Sequence, residues 1–455
     1  MPVVPSPNES AIPTATLRAL YEIEQDFHLD ATKLHSILEH FVADLGTGLG
    51  KYGHGMAMVP TFVTGVPTGK ETGTFLALDL GGTNLRVCEV KLDGNHTFQL
   101  RQQKYKVSDD LKTGDAKFLF DYMADSLSVE QTALDKGTLL TWTKGFSATN
   151  AQGKDVVKML QDALDRKHLH VKCVALVNDT VGTLLSRSYL VGDCLLGCIF
   201  GTGTNAAYLD DASTFTKSND IASQGGKMIV NTEWGAFDNE RIVLPFTEYD
   251  NKVDRESINP RFQAFEKFIS GMYQGEVVRN VILHLIDKNL LFRGYSTPEL
   301  NAHYGFDTSF MVLSQCYSVR ARAENARTPE FYTRARKVFI EKLGFSKYTG
   351  PNSSGRGAVK FEITDADCEI TRRVCETVAT RAARLSAIGI AAVVQKTEVA
   401  KKTEGNIQVG VDGSMAEHYP YFEVRVREAL RVVLGHEVEQ RIKIGMAKDG
   451  SGVGG

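Results

Sequence analysis

The stretch LALDLGGTNLRV, residues 76–87, is where the fold is decided. An apolar run stops at Asp79, turns on Gly81 and Gly82, and leaves through Asn84 as a second strand-like run that carries Arg86. A tight turn needs only the glycines, so the carboxylate, the Thr83 hydroxyl and the cation are surplus to it. Successive backbone N–H groups in such a turn form an anion-binding nest, and bare glycine lets the main chain approach a phosphate. Asp79 is itself an anion and is expected to hold Mg²⁺ through water, since that ion keeps much of its hydration. Arg86 is then expected to offset phosphate charge. The alternative is a plain hairpin with an Asx-stabilised turn.

Outward from this turn the pattern recurs. LLGCIF and NAAYLD flank a second small turn at Gly201, Thr202, Gly203 and Thr204, and NIQVGV runs into a third at Asp412, Gly413 and Ser414. Strand, small polar turn and strand at two separated places predict two related halves, each offering a phosphate-sized turn to a cleft. Other glycine motifs fail on geometry. GVPTGKET (65–72) has three residues between its glycines, where a Walker loop has four, and Glu71 follows the lysine in place of the Mg²⁺-binding hydroxyl. GTGTNA (201–206) fits a dinucleotide fingerprint only if a helix follows, and AAYLDD reads as a strand.

Helical spacing flanks these strands. Leu34, Leu38, Phe41 and Leu45 recur on one face, with Asp30 as N-cap. In 372–394, Val374, Val378, Ala382, Leu385 and Ala392 form a single stripe. Residues 320–357 read as a basic solvated helix followed by a surface loop.

Side chains able to do chemistry cluster after strands. VKCVALVNDTVG ends a buried run at Asn178 and Asp179, the carboxyl-end position at which ligands meet open α/β sheets. Asp179 is read either as a helix cap or, if it faces a cleft, as a base taking a proton from a substrate hydroxyl. Asn231, Glu233 and Trp234 stand together after a strand, Gln263 and Glu266 lie near a helix start, and TWTKGFSATN (141–150) adds Thr143 and Lys144. Glu266 also suits simple complementation of the helix dipole. This inventory of donors and acceptors without a dominant charge fits a polyhydroxylated ligand such as a sugar.

The bulk numbers narrow the classes. The 455 residues are 42% hydrophobic with a net charge of −3, which gives no electrostatic reason for nucleic acid or an anionic membrane as partner. No apolar run reaches the roughly 18–20 residues of a membrane span. Seven scattered cysteines without a C-x-x-C pair point to reduced thiols and a cytoplasmic location, with Cys194 and Cys198 as core residues.

FLALDLGGTNLRV, WTKGF, LVNDTVGTL, FGTGTNA, NTEWGAFDN, FEKFISGMYQGEVVR and VGVDGSMAEHYP occur in the order and spacing of the eukaryotic hexokinases. The chain resembles that family from about residue 14 onward, its fungal hexokinase and glucokinase members most. The resemblance implies an α/β fold of the actin-like ATPase (ribonuclease H-like) type, with small and large lobes around a central cleft. It implies a flexible tail over 1–13, a helical part of the large lobe over 14–67, a small lobe over 68–178 and the rest of the large lobe over 179–455. It further implies transfer of the ATP γ-phosphoryl group to the 6-hydroxyl of glucose or a related hexose, with Mg²⁺, as the first step of glycolysis, in a monomer or homodimer.

By motif position Asp179 resembles the general base, and Asn178, Asn205, Glu233 and Glu266 resemble large-lobe sugar ligands. Thr143 and Lys144 resemble small-lobe ones, Lys144 with a catalytic role. Asp79 with Gly81–Asn84 resembles the first phosphate loop, 201–204 the second, and 412–414 the adenosine turn. Two elements of the family pattern are missing from the sequence: a small-lobe strand with a Ser-Phe-Pro element before WTKGF, near 126–131, where only Ser128 stands as a substitute, and a closing helix after KDGSGVGG. These departures motivate a second expectation, a hexokinase-like sugar sensor that turns over poorly. A third class, an actin- or chaperone-like ATPase, conflicts with the sugar-ligand set.

Overall fold

A computed structural model of the protein describes residues 12–80, 84–122, 127–133, 136–142, 147–168, 172–173, 175–313, 329–345, 349–351, 358–360 and 362–447. The expectations for Gly81, Gly82, Thr83, Thr143 and Lys144 lie outside these residues, as do those for the side chains of Asp79, Asn84 and Ser128 and most of those for 320–357.

The described strands are β1 (Val59–Pro60), β2 (Thr72–Leu80), β3 (Asn84–Asp93), β4 (Phe98–Lys106), β5 (Leu127–Ala133), β6 (Lys136–Trp142), β7 (Cys194–Phe200), β8 (Thr204–Asp211), β9 (Lys227–Asn231), β10 (Thr349–Pro351), β11 (Ala358–Lys360), β12 (Ile407–Asp412) and β13 (Ile442–Met446). The sheet that carries most of the site has the order β1-β9-β8-β7-β12-β13. Its β7, β8 and β9 are antiparallel neighbours, whereas β12 and β13 join β7 in parallel. The carboxyl ends of β7 and β12 therefore point the same way, and both open into the small turns singled out above.

The opening motif forms the β2–β3 hairpin, with Asp79 opposite Arg86, and β4 completes a three-stranded antiparallel sheet. A strand does form over 127–133. It pairs with β6 as a separate two-stranded sheet, with no pairing to β2–β4 among the described residues. Among the described residues three apolar cores form. One gathers Leu85, Val107, Leu119, Phe120, Leu139 and Val156; the largest packs helices against the six-stranded sheet; and a small one of Val181, Leu184, Cys194, Ala207 and Ile229 lies between helix Asp179–Val191 and that sheet.

The N-terminal helices follow the spacing. Asp30 caps helix Ala31–Gly50 by accepting from the Lys33 backbone N–H at 2.8 Å, and Leu34, Leu38, Phe41 and Leu45 are all buried. In helix Asp365–Thr397 the stripe Val374, Val378, Ala382, Leu385 and Ala392 is buried as expected, and Arg372, Glu376, Thr377, Thr380 and Arg384 form a half-buried flank. From 385 to 394 burial extends beyond the stripe to all sides, and the alanines and small residues there let neighbours approach from several directions. Among the described residues Asp365–Thr397 is the one helix long and apolar enough to cross a bilayer, and 83% of its most apolar stretch packs inside the fold. A buried ion pair locks it in place: Arg381 donates to both Asp250 oxygens at 2.6 and 2.7 Å, between the rings of Phe27 and Phe268.

A row of glycines positions the helix that begins at Asp179. Gly197 on β7, Gly410 on β12 and Gly445 on β13 are paired in register across three adjacent strands. A Cβ on Gly197 would lie 2.5 Å from Thr180 O and Leu184 N, and one on Gly410 would lie 2.9 Å from Arg187 Cβ. Helix Asp179–Val191 thus lies directly on the sheet's backbone. Its first turn sits over β7, the strand whose end opens the 201–204 turn.

Candidate active site

Asn178, not Asp179, supplies the cap of this helix. Its Oδ1 accepts from the Thr180 backbone N–H at 3.0 Å and from the Thr180 hydroxyl at 2.6 Å. That corrects the capping reading of Asp179, which occupies the first helical position, half-buried. Thr183 donates back to the Asp179 carbonyl at 2.9 Å, and this fixes the turn that carries the acid.

The turn at 201–204 is held from three sides. The Gly271 and Met272 N–H groups, opening helix Gly271–Asp287, donate to the carbonyls of Gly201 (2.7 Å) and Thr202 (3.1 Å). Glu266 Oε2 accepts the Thr204 N–H at 3.0 Å. From below, the buried Trp234 indole donates to Thr204 Oγ1 at 3.0 Å, within a cluster of rings that includes Phe41, Phe200 and Phe265. Gly201 N–H bonds to Gly203 O inside the turn at 3.0 Å. The N–H groups of Thr202 and Gly203 donate to no described residue, so two successive donors remain for an anion. The residues present fit a phosphate.

Against this turn lies the one at 412–414. Asp412 Oδ1 accepts the Gly413 N–H at 2.7 Å. Gly413 has φ 108°, and a Cβ there would meet Phe200 O at 2.5 Å, so only glycine brings the two turns together. Ser414 opens the short helix that follows.

The proposed sugar residues join the same turn. Asn205 donates to Asn231 Oδ1 at 2.8 Å and to Glu233 Oε1 at 3.2 Å, and Asn231 donates to Glu233 Oε1 at 2.8 Å. Glu233 sits in the left-handed region, φ 53°, and Gln263 does too, φ 55°, as the residue before helix Ala264–Ile269. Strain at two such neighbouring positions is a feature of built sites. Gln263 Oε1 is buried with no hydrogen-bond partner among the described residues and lies where a Cβ on Gly235 would intrude, at 2.8 Å. Glu266 is fixed by its bond to Thr204, a specific partner beyond the dipole reading. Beside it, Lys267 is buried against Asp254 Oδ1 and the Asn259 carbonyl, both at 2.7 Å. Burial, followed by the charge of Glu266, holds the Tyr273 phenol well above its ordinary pKa.

The structure thus brings together Asn205, Glu233, Gln263, Glu266 and the turns at 201–204 and 412–414, while the run expected as a buried strand before Asn178 forms no strand among the described residues, and Asn178 and Asp179 instead open the helix packed on this sheet. Arg86 stands half-buried on β3 in the smaller sheet. The sequence places Asn231 beside Glu233, and the fold makes it a bridge from Glu233 to Asn205. Its signal lay in the pairing of β8 with β9, where Ala207 faces Asn231. The rejected Walker-like loop is closed on itself: Glu71 accepts from the Thr68 N–H, the Thr68 hydroxyl and the Gly69 N–H. Those bonds, the Thr68 backbone foremost, draw its carboxyl down to about 2. Its own carboxylate fills the nest a phosphate would need.

Family models described as hexokinase match residues 195–455, and residues 19–129 together with 126–189. The chain belongs to the hexokinase family. It is 37% identical to hexokinase-1 of Saccharomyces cerevisiae, over 97% of this chain and 92% of that protein, and 36% identical to the hexokinase of Emericella nidulans, over 98% and 91%. The glucokinase of Aspergillus niger is 36% identical over 97% of this chain and 96% of that one. Among solved structures, a hexokinase from Schistosoma mansoni complexed with glucose superposes with a TM-score of 0.82 at 31% identity, covering 97% of each chain. The expected actin-like fold of this family is therefore the fold found. The hexokinase match over the first half comes in two pieces that meet at 126–129, beside the region where the family pattern breaks.

Proposed function

We propose that the protein transfers the γ-phosphoryl group of ATP to the 6-hydroxyl of glucose or a related hexose. The carrying observation is the adjacency of two bonded groups: Asn205, bonded to Asn231 beside Glu233, directly follows Thr204, whose N–H Glu266 accepts. It sets a sugar-type set of acceptors beside a phosphate-type set of donors. Membership of the hexokinase family and the glucose complex of the Schistosoma relative support the same reading.

In this reading Asn178, Asn205, Glu233, Gln263 and Glu266 bind the sugar hydroxyls, with Thr143 and Lys144 from the small lobe. Asp179 takes the proton from the 6-hydroxyl as the oxygen attacks. The free N–H groups of Thr202 and Gly203 hold phosphate oxygens, Gly81–Asn84 serve as the first phosphate loop, and 412–414 hold the nucleoside. Asp79 would hold the Mg²⁺ of the nucleotide, which supplies charge neutralisation when bound, and Arg86 adds to it. Phosphoryl transfer needs positioning and charge stabilisation more than covalent help, and these parts supply both. The six described cysteines are free thiols, which suits the cytoplasm as the proposed location.

The test is to incubate the purified chain with Mg-ATP and glucose and identify the product by phosphorus NMR. Glucose-dependent formation of a 6-phosphate is expected. ATP hydrolysis indifferent to sugar would refute the reading, and glucose binding without transfer would make the chain a sugar-binding relative.

A further inference from the structure

A pocket of about 370 Å³ lies between the end of helix Thr14–Phe27 and one flank of helix Asp365–Thr397. None of its lining residues belongs to the candidate active site. Its volume falls in the range of small-molecule sites. Four arginines and two glutamates line it, so its charge is positive.

Pairing removes most of that charge and leaves one group over. Arg373 is held by Glu24 in a two-pronged pair, with both bonds at 2.9 Å. Arg372 is held by Glu369 and Glu376, and Arg381 by Asp250. Arg384 has no hydrogen-bond or ionic partner among the described residues, and its Nε is buried. The hydroxyls of Thr377 and Thr380 likewise have none. Spacings of three and four residues set Thr377, Thr380 and Arg384 on one face of the helix. A guanidinium fork flanked by two hydroxyls matches the oxygens of a phosphate. The pocket exceeds a bare inorganic ion in size, and Phe27 and Leu29 add apolar wall.

We propose that this pocket binds a small phosphate monoester, with the phosphate on Arg384, Thr377 and Thr380 and the organic body against Phe27 and Leu29. Such a ligand ties the N-terminal helix to the long core helix. By linkage it stabilises the folded chain without occupying the cleft.

The experiment is calorimetric titration of the full chain, at saturating glucose, with inorganic phosphate, glycerol 3-phosphate and acetate. Neither phosphate probe carries a hexose, so the sugar subsite is not their target. Glycerol 3-phosphate is expected to bind more tightly than inorganic phosphate, and acetate least. Arg384→Gln is expected to weaken the ester about tenfold, the effect of losing a charge-assisted hydrogen bond, and to leave glucose affinity unchanged. Thr380→Val, a milder change in packing, is expected to weaken it in the same direction and carries the test if Arg384→Gln does not fold. No binding of the ester, equal binding of acetate, binding of inorganic phosphate without the ester, or unchanged binding in the variants would each overturn the proposal.

Discussion

Alanine at Gly197 tests how the fold aims its acid. The new Cβ would stand 2.5 Å from Thr180 O and Leu184 N and 2.9 Å from Leu184 Cα, all of it backbone in the first turns after Asp179. Ordinary contact begins near 3.4 Å, so the helix must lift by about 1 Å. Overpacking of this kind costs about 1–3 kcal/mol of stability, which a domain of this size survives. A displacement of about 1 Å at a catalytic group lowers turnover about 100-fold. The glycine row supplies its own controls. Gly410→Ala meets Arg187 Cβ at 2.9 Å and Thr183 O at 3.1 Å, so the lift and the loss are smaller. Gly445→Ala meets only the movable Arg187 guanidinium and should be near normal. Steady-state kcat with a parallel urea melt reads both effects. A folded Gly197→Ala within about threefold of the parent kcat, or equal losses at all three glycines, would refute the reasoning.

Three further outcomes are expected. Asn231→Ala removes a donor from the Glu233 carboxylate and an acceptor from Asn205; losing a hydrogen bond to a charged group is worth about 1.5–3 kcal/mol, so KM for glucose should rise at least tenfold or so, and an unchanged KM would show that the bridge does not order the sugar residues. Glu71 should titrate near 2 by NMR, against the ordinary 4.5; because its folded pKa is depressed, its contribution to stability is complete above about pH 4.5 and is lost as pH falls toward 2, and a midpoint near 4.5 would disprove the closed loop. Asp250→Ala strands the fully buried Arg381 guanidinium and breaks the Thr247–Asp250 capping box, so urea unfolding should show a loss of about 3–5 kcal/mol, whereas a loss below about 1 would mean that the pair is relaxed in solution.

Much of the architecture was legible because it is local. The β2–β3 and β7–β8 hairpins follow from apolar runs that flank small turns, and helix Ala31–Gly50 follows from its spacing and its cap. What escaped the sequence depends on partners distant in the chain. Asn178 and Asp179 are both good caps, and only the folded geometry shows that the asparagine takes that role. Glu266 meets Thr204 across 62 residues, and Asn231 meets Asn205 only through the β8–β9 register. The Gly197, Gly410 and Gly445 row is invisible in any one segment, since three strands must align before their missing side chains make a bed for a helix. The all-round burial of residues 385–394 in helix Asp365–Thr397 was hidden for a related reason: small residues weaken the amphipathic signal while allowing close packing on every side.

The most direct test of the account replaces Asp179 with Asn, keeping shape while removing the base. Turnover of glucose with Mg-ATP should fall by at least about 100-fold, within the range lost with a general base, while glucose is expected to raise the melting temperature of variant and parent alike. Turnover close to that of the parent would contradict the assignment of Asp179 as the base and, with it, the mechanism built around it.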